Sequence, residues 1–263
     1  MIIVFTSALI AYFISAIIGI AVIFRGKRAT SKTMTIFAIV GFVMHTASLI
    51  VSINTSPHVP ITTLQEAASF FSWSVVLLFF LVEYKFRLGL LGSFVMPIAS
   101  VLMLSSSILP AEIIPLKPGA QTYWHGIHTI LAFMGGSVFA AACSVGIMFI
   151  IQEHFLKFKR FGGLFKKLPN LQVLDNANNR LVTVGFSLFT AAILVGALWA
   201  KSTGGNYLSG NPKEVLSIIT WLIYALVLHT RVTVGWRGKK EAILSIAGFC
   251  GVLFAFGGLI FFR

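Results

Sequence analysis

Residues 124–151 read WHGIHTILAFMGGSVFAAACSVGIMFII, a run that holds no Lys, Arg, Asp or Glu. A helix crossing a bilayer core needs about 20 mostly apolar residues, and this run exceeds that length. Seven other runs qualify beside it, at roughly 2–24, 33–53, 64–82, 88–109, 181–200, 214–230 and 241–262. The whole chain agrees: 57% of its 263 residues are hydrophobic and only 10% are charged, whereas a soluble domain carries about a quarter charged. Alternating polarity in ten-residue runs, the mark of a membrane barrel, is missing. Lipid requires every backbone polar group to be paired within the protein. The expected fold is therefore all-α, a polytopic bundle of about eight transmembrane helices forming one domain over residues 1–263.

Short cytoplasmic loops retain positive charge, so the basic residues set the orientation. Alternate connections hold Arg25, Lys27, Arg28 and Lys32, then Lys85 and Arg87, then Lys157, Lys159, Arg160, Lys166, Lys167 and Arg180, then Arg231, Arg237, Lys239 and Lys240. Only Lys117, Lys201, Lys213 and Arg263 fall on the other side. Both termini are thus expected outside the cytoplasm, in a multi-pass protein of the cell inner membrane. The formal charge of +13 reads as topology and contact with anionic lipid, not nucleic-acid binding. A signal peptide at residues 1–24 is disfavoured by its flanks: no basic residue precedes the apolar run, and Arg25-Gly26-Lys27-Arg28 follows it. Cys143 and Cys250 lie in separate apolar runs without a CxxC pair, and read as small packing residues.

Residues 154–180, HFLKFKRFGGLFKKLPNLQVLDNANNR, interleave basic residues with phenylalanine and leucine. That pattern suits a basic amphipathic cytoplasmic loop, with an interfacial helix lying on anionic lipid. Opposite it, residues 201–213 form a polar, glycine-rich external loop running into an apolar helix that carries Trp221, Tyr224, His229 and Arg231.

Membrane histidines are costly and usually functional. His45 lies near mid-span, and His58 sits in an outer loop between Pro57 and Val59-Pro60. His125 and His128 share one helix face at the outer interface, and His229 lies within a turn of the inner interface. Each has an ordinary reading as well. His229 can cap a helix end, His45 can bond a neighbouring helix, and His58, His125 and His154 can simply be solvated. Tyr123 and Trp124 can belong to the aromatic belt. Glu66 and Glu214 can cap helices or orient an imidazole.

His45, His58-Val59-Pro60, Glu66, Ser69 to Trp73, Glu83, Trp124, His128, Gln152-Glu153, Leu174-Asp175-Asn176, Gly196-Ala197, Trp199, Pro212-Lys213-Glu214, Trp221 and Leu228 to Arg231 follow one another in a recognisable order. In type and spacing they resemble the CcsA/ResC cytochrome c assembly family, and the similarity covers most of residues 41–260. The resemblance implies a haem b cofactor, with His128 as an outer ligand of the haem iron and His229 as an inner one. It also implies roles for His45 and His58, and an aromatic platform from Trp124, Trp199, Tyr207 and Trp221, with Lys201 and Lys213 for the propionates. Its partners would be a ResB/CcsB-type membrane subunit and apocytochrome c. The chain would then be an assembly factor, not an enzyme by itself.

Two departures separate the sequence from full haem-attachment members. Between Trp199 and Pro212 the tryptophan-rich loop is degenerate, reading Asn206-Tyr207-Leu208-Ser209-Gly210-Asn211. The segment that carries a second outer histidine in those members has no counterpart before Phe261-Phe262-Arg263. Both features resemble the short HemX/YpjD branch, which implies an alternative: a membrane regulator or scaffold of haem biosynthesis without attachment activity. A transporter with broken helices and midplane polar sites finds little support beyond His45.

Overall fold

The computed structural model describes residues 2–25, 28–55, 63–109, 123–208 and 210–261. Eight helices appear among them: α1 (Ile2–Arg25), α2 (Arg28–Thr55), α3 (Leu64–Phe86), α4 (Leu91–Ile108), α5 (Tyr123–Lys157), α6 (Leu171–Ser202), α7 (Pro212–Thr233) and α8 (Lys239–Phe261). All eight contain a stretch long and apolar enough to cross a membrane. The chain is thus an all-helical membrane bundle, with no strand among the described residues. We call the end where α5 begins upper and the end where it finishes lower.

Local sequence sets where several helices start. Thr63 and Glu66 form a reciprocal capping box on α3. Asn170 caps α6 by accepting from Val173 N at 2.9 Å. Asn211 caps α7 by accepting from Glu214 N at 3.0 Å, with Pro212 in the first turn. The Glu214 carboxylate accepts from Gly210 N at 3.0 Å and from Asn211 Nδ2 at 3.2 Å. It therefore ties down the loop that precedes α7, which supports the capping role for this residue.

Helix α5 is the central element and packs most extensively on α6. With little hydrophobic drive between helices in lipid, close approach depends on small residues. A side chain at Gly146 would meet the Ala242 carbonyl of α8 at 2.9 Å, and one at Gly135 would meet the Phe189 amide of α6 at 3.2 Å. Mid-bundle, the Phe139 and Tyr224 rings stack at 3.6 Å and 5°. Tyr224 is fully buried and donates to Ser245 O at 3.3 Å.

The basic segment departs from expectation. Its two ends are helical extensions of α5 and α6, and the residues between form turns, so no separate interfacial helix forms there. Gly162-Gly163 and Pro169 interrupt helix formation. The turn folds back onto the bundle: Gln152 Nε2 donates to Phe165 O at 3.4 Å, Lys167 Nζ reaches Val22 O at 3.5 Å, and Leu168 is buried.

Orientation is testable on this frame. In a variant lacking Cys143 and Cys250, a membrane-impermeant maleimide added to intact cells is expected to label Ser202→Cys. It should reach Arg160→Cys only after permeabilisation. Both positions are exposed, and the reverse pattern would invert the charge-based topology.

Candidate functional site: a histidine-bearing cavity at the upper end

The upper ends of α3, α5, α6, α7 and α8 surround a cavity of about 460 Å³, within the size range of small-molecule and cofactor sites. Its floor is apolar. Phe71, Phe133 and Phe256 form a three-ring cluster with centroid separations of 5.3 to 5.9 Å. Its rim is more polar, with Trp199, Tyr207, Asn211 and Glu214. Lys201 adds a cation 5.5 Å from the Tyr207 ring.

His128 enters from α5, five residues beyond its first residue, or about 8 Å along the axis. Its Nδ1 lies 2.7 Å from Ala192 O on α6. A carbonyl only accepts, so Nδ1 must carry the hydrogen. In the neutral ring, Nε2 then holds the lone pair. This arrangement, one imidazole nitrogen anchored to backbone and the other left for a ligand, is the one that metal-ligating histidines use.

His125 lines the same cavity, its ring 4.9 Å from Trp199 at 47°. The two histidines stand three residues apart on one helix, so both imidazoles approach the cavity from the same side.

The remaining sequence-derived candidates disperse. Trp124 is 45% exposed and is not in the cavity lining. Trp221 is also outside it: Nε1 donates to Thr190 Oγ1 at 2.9 Å and the indole stacks on Phe186 at 5.4 Å, fastening α7 to α6. His45 is fully buried among α1, α2 and α3. Its Nε2 pairs with Ser69 Oγ at 2.9 Å, and Phe5 and Tyr12 lie edge-on at 6.2 and 5.7 Å. That is an interhelical contact away from the cavity. His58 lies outside the described residues, as does the side chain of Lys213.

The His229–Arg231 run splits. His229 is exposed on α7, 17 residues and about 25 Å beyond Pro212, and so lies far from His128. Arg231 points inward at the lower end. Its guanidinium pairs with both Asp175 carboxylate oxygens, at 3.0 and 3.4 Å, and with Glu241. Asp175 Oδ1 also accepts from Gly238 N at 2.8 Å. Asn178 Nδ2 contacts Ser245 Oγ at 3.0 Å and Glu241 Oε1 at 3.5 Å. Arg231 is therefore committed to a clamp across α6, α7 and α8.

The sequence singles out neither Phe133 nor Phe256, and it marks Gly196 only within the order of residues that carries the family resemblance. A helical stripe does exist for the α5 members, since His125, His128, Thr129, Ala132 and Phe133 all line the cavity. The contributions of α6 and α8 are tertiary and leave no such trace.

A family model described as Cytochrome C assembly protein matches residues 61–261. A "Cytochrome c biogenesis protein CcsA" from Chlamydomonas reinhardtii is 34% identical over 220 residues, with 80% of this chain and 61% of that protein aligned. The Guillardia theta protein of the same description is 32% identical, covering 78% and 75% respectively. That of Prochlorococcus marinus (strain NATL2A) is 29% identical, covering 89% and 83%. Among solved structures, "Cytochrome c Heme Lyase CcmF" superposes with a TM-score of 0.65 at 16% identity, over 98% of this chain and 48% of that one. The fold is thus shared with roughly half of a longer protein. On the extent of the family match and of the CcsA alignments, the chain belongs to the cytochrome c assembly protein family.

Proposed function

We propose that this chain is a haem-handling subunit of c-type cytochrome biogenesis, holding haem b in the upper cavity with His128 Nε2 on the iron. The observation that carries this reading is the His128 tautomer, anchored through Nδ1 to Ala192 O inside an aromatic cavity. The residues fit the group. Neutral imidazole is a common haem ligand, the three-phenylalanine floor suits a flat macrocycle, and Lys201 at the rim suits its propionates. When bound, the haem would supply the vinyl groups to which a cytochrome's cysteines are joined. The chain's own residues bind it, orient it and shelter one face from water.

His125 stands on the same side of the cavity as His128, so a second ligand to the iron would come from His58 or from a partner of the ResB/CcsB type, which would also present apocytochrome c. On this reading attachment requires the partner, and the chain alone is not an enzyme. His229, exposed on α7 near its lower end, is a polar group facing out of the bundle, where a partner could meet it. The location that suits this role is the cell inner membrane, with the cavity outside and the basic face against anionic cytoplasmic lipid.

The test is haem retention. Protein purified in detergent is expected to carry haem with an imidazole-type absorption spectrum, or to bind added haem saturably. A folded protein that does neither would overturn the reading in favour of a HemX-like scaffold.

A further inference from the structure

We infer that Gly196 is the positioning residue for His128: the missing side chain on α6 leaves the space that the imidazole occupies as it reaches Ala192 O. The inference deepens the haem reading of the cavity and rests on it for its functional consequence. A Cβ at position 196 would lie 2.7 Å from His128 Nδ1 and 2.8 Å from Cε1, closer than real contacts allow. Ala192 and Gly196 are one helical turn apart, so the Cβ of residue 196 would stand beside the carbonyl that the ring addresses. That carbonyl already serves the α6 ladder, and its second lone pair takes the histidine. Gly196 therefore acts through His128, by admitting the ring to a bond that fixes its tautomer.

The atoms met by the added methyl belong to a side chain, not to backbone. The ring gives way, and alanine is a better helix former than glycine, so α6 is not weakened. What is lost is the Nδ1–H bond to Ala192 O, and with it the outward presentation of Nε2.

The experiment uses the full-length protein in detergent, with ¹⁵N-labelled histidine and haemin as the titrant. Unliganded wild type is expected to show His128 with a protonated Nδ1 and an unprotonated Nε2. Gly196→Ala is expected to lose that signature and to bind haemin about 10–100-fold more weakly, the range seen when an outer-shell partner of a metal-ligating histidine is removed. Gly126→Ala, in the same helix as His128 with open space around it, should change neither readout. In a His128→Ala background the ring atoms that the extra methyl would strike are gone, so adding Gly196→Ala should lower neither stability nor residual haemin affinity.

Retention of the wild-type tautomer and affinity in Gly196→Ala would overturn the inference, as would an equal loss in Gly126→Ala. A further fall on adding Gly196→Ala to His128→Ala would also overturn it. Wild type that shows the tautomer, loses it in Gly196→Ala and binds no haemin would uphold the positioning role while overturning the haem reading, so the two failures are distinguishable.

Discussion

Arg231→Ala is expected to destabilise the bundle by about 3–5 kcal/mol, the cost of breaking a buried ion pair from one side. The guanidinium is 12% exposed and lies between Asp175, 11% exposed, and Glu241, 2% exposed. Removing it leaves two carboxylates close together in a water-poor setting with no cation between them. Their remaining donors, Gly238 N for Asp175 and Asn178 Nδ2 for Glu241, are neutral and cannot replace the charge. Arg231→Lys should recover only part of the loss, because an ammonium cannot reproduce the two-pronged contact to Asp175 while also meeting Glu241. Adding Glu241→Gln to Arg231→Ala should recover more, since one orphaned charge goes with it. Unfolding free energies in a mixed-detergent titration measure all four proteins. Arg231→Ala within about 0.5 kcal/mol of wild type, the range of ordinary surface changes, would show that the clamp carries no stability.

That clamp joins the lower ends of the helices whose upper ends form the cavity. Asp175 belongs to α6, which supplies Ala192 and Gly196 to the His128 contact seventeen and twenty-one residues further on. Arg231 belongs to α7, whose first turn carries the rim residue Glu214, and Glu241 to α8, whose upper part carries the floor residue Phe256. Trp221, between the two ends, adds the bond to Thr190 and the stack on Phe186. Loosening the clamp is therefore expected to weaken the cavity indirectly.

How much of this was legible follows from which physical signal each feature leaves. Eight apolar runs give eight helices because burial in lipid is read directly from hydropathy. The start of α6 was not: the expected span opens near residue 181 and the helix opens at Leu171. Six of the ten missing residues are polar, yet Asp175 and Asn178 are buried against α7 and α8, and hydropathy cannot tell a solvated polar turn from a paired one. His128, His125, Trp199 and Tyr207 were recoverable because loop polarity and the positive-inside pattern place them at one end. The floor rings Phe133 and Phe256 were not, and neither was the packing of Gly196 on His128, since these depend on which helices meet. Within the His229–Arg231 run, adjacency in sequence is not adjacency on a helix. At about 100° per residue the two side chains diverge by about 200°, and one faces the clamp while the other faces out.

His128→Ala and His229→Ala should accordingly part company. In the purified chain, His128→Ala removes the proposed ligand itself, and haemin affinity is expected to fall by at least about 100-fold, the upper range for losing even an outer-shell partner. The fold should survive, because His128 stands beside a cavity and its loss enlarges an existing space. His229 lies about 25 Å down α7 with its side chain exposed, and substitutions that distant usually act independently within about 0.5 kcal/mol. His229→Ala should then leave haemin affinity of the isolated chain within about twofold. In cells that supply the partner, the same His229→Ala substitution is expected to reduce cytochrome c maturation, because its imidazole faces the surface where another subunit would sit. Loss of haemin binding by the isolated His229→Ala protein would mean that α7 carries a binding site of its own at the lower end. Wild-type affinity in His128→Ala would remove the upper cavity from haem chemistry altogether.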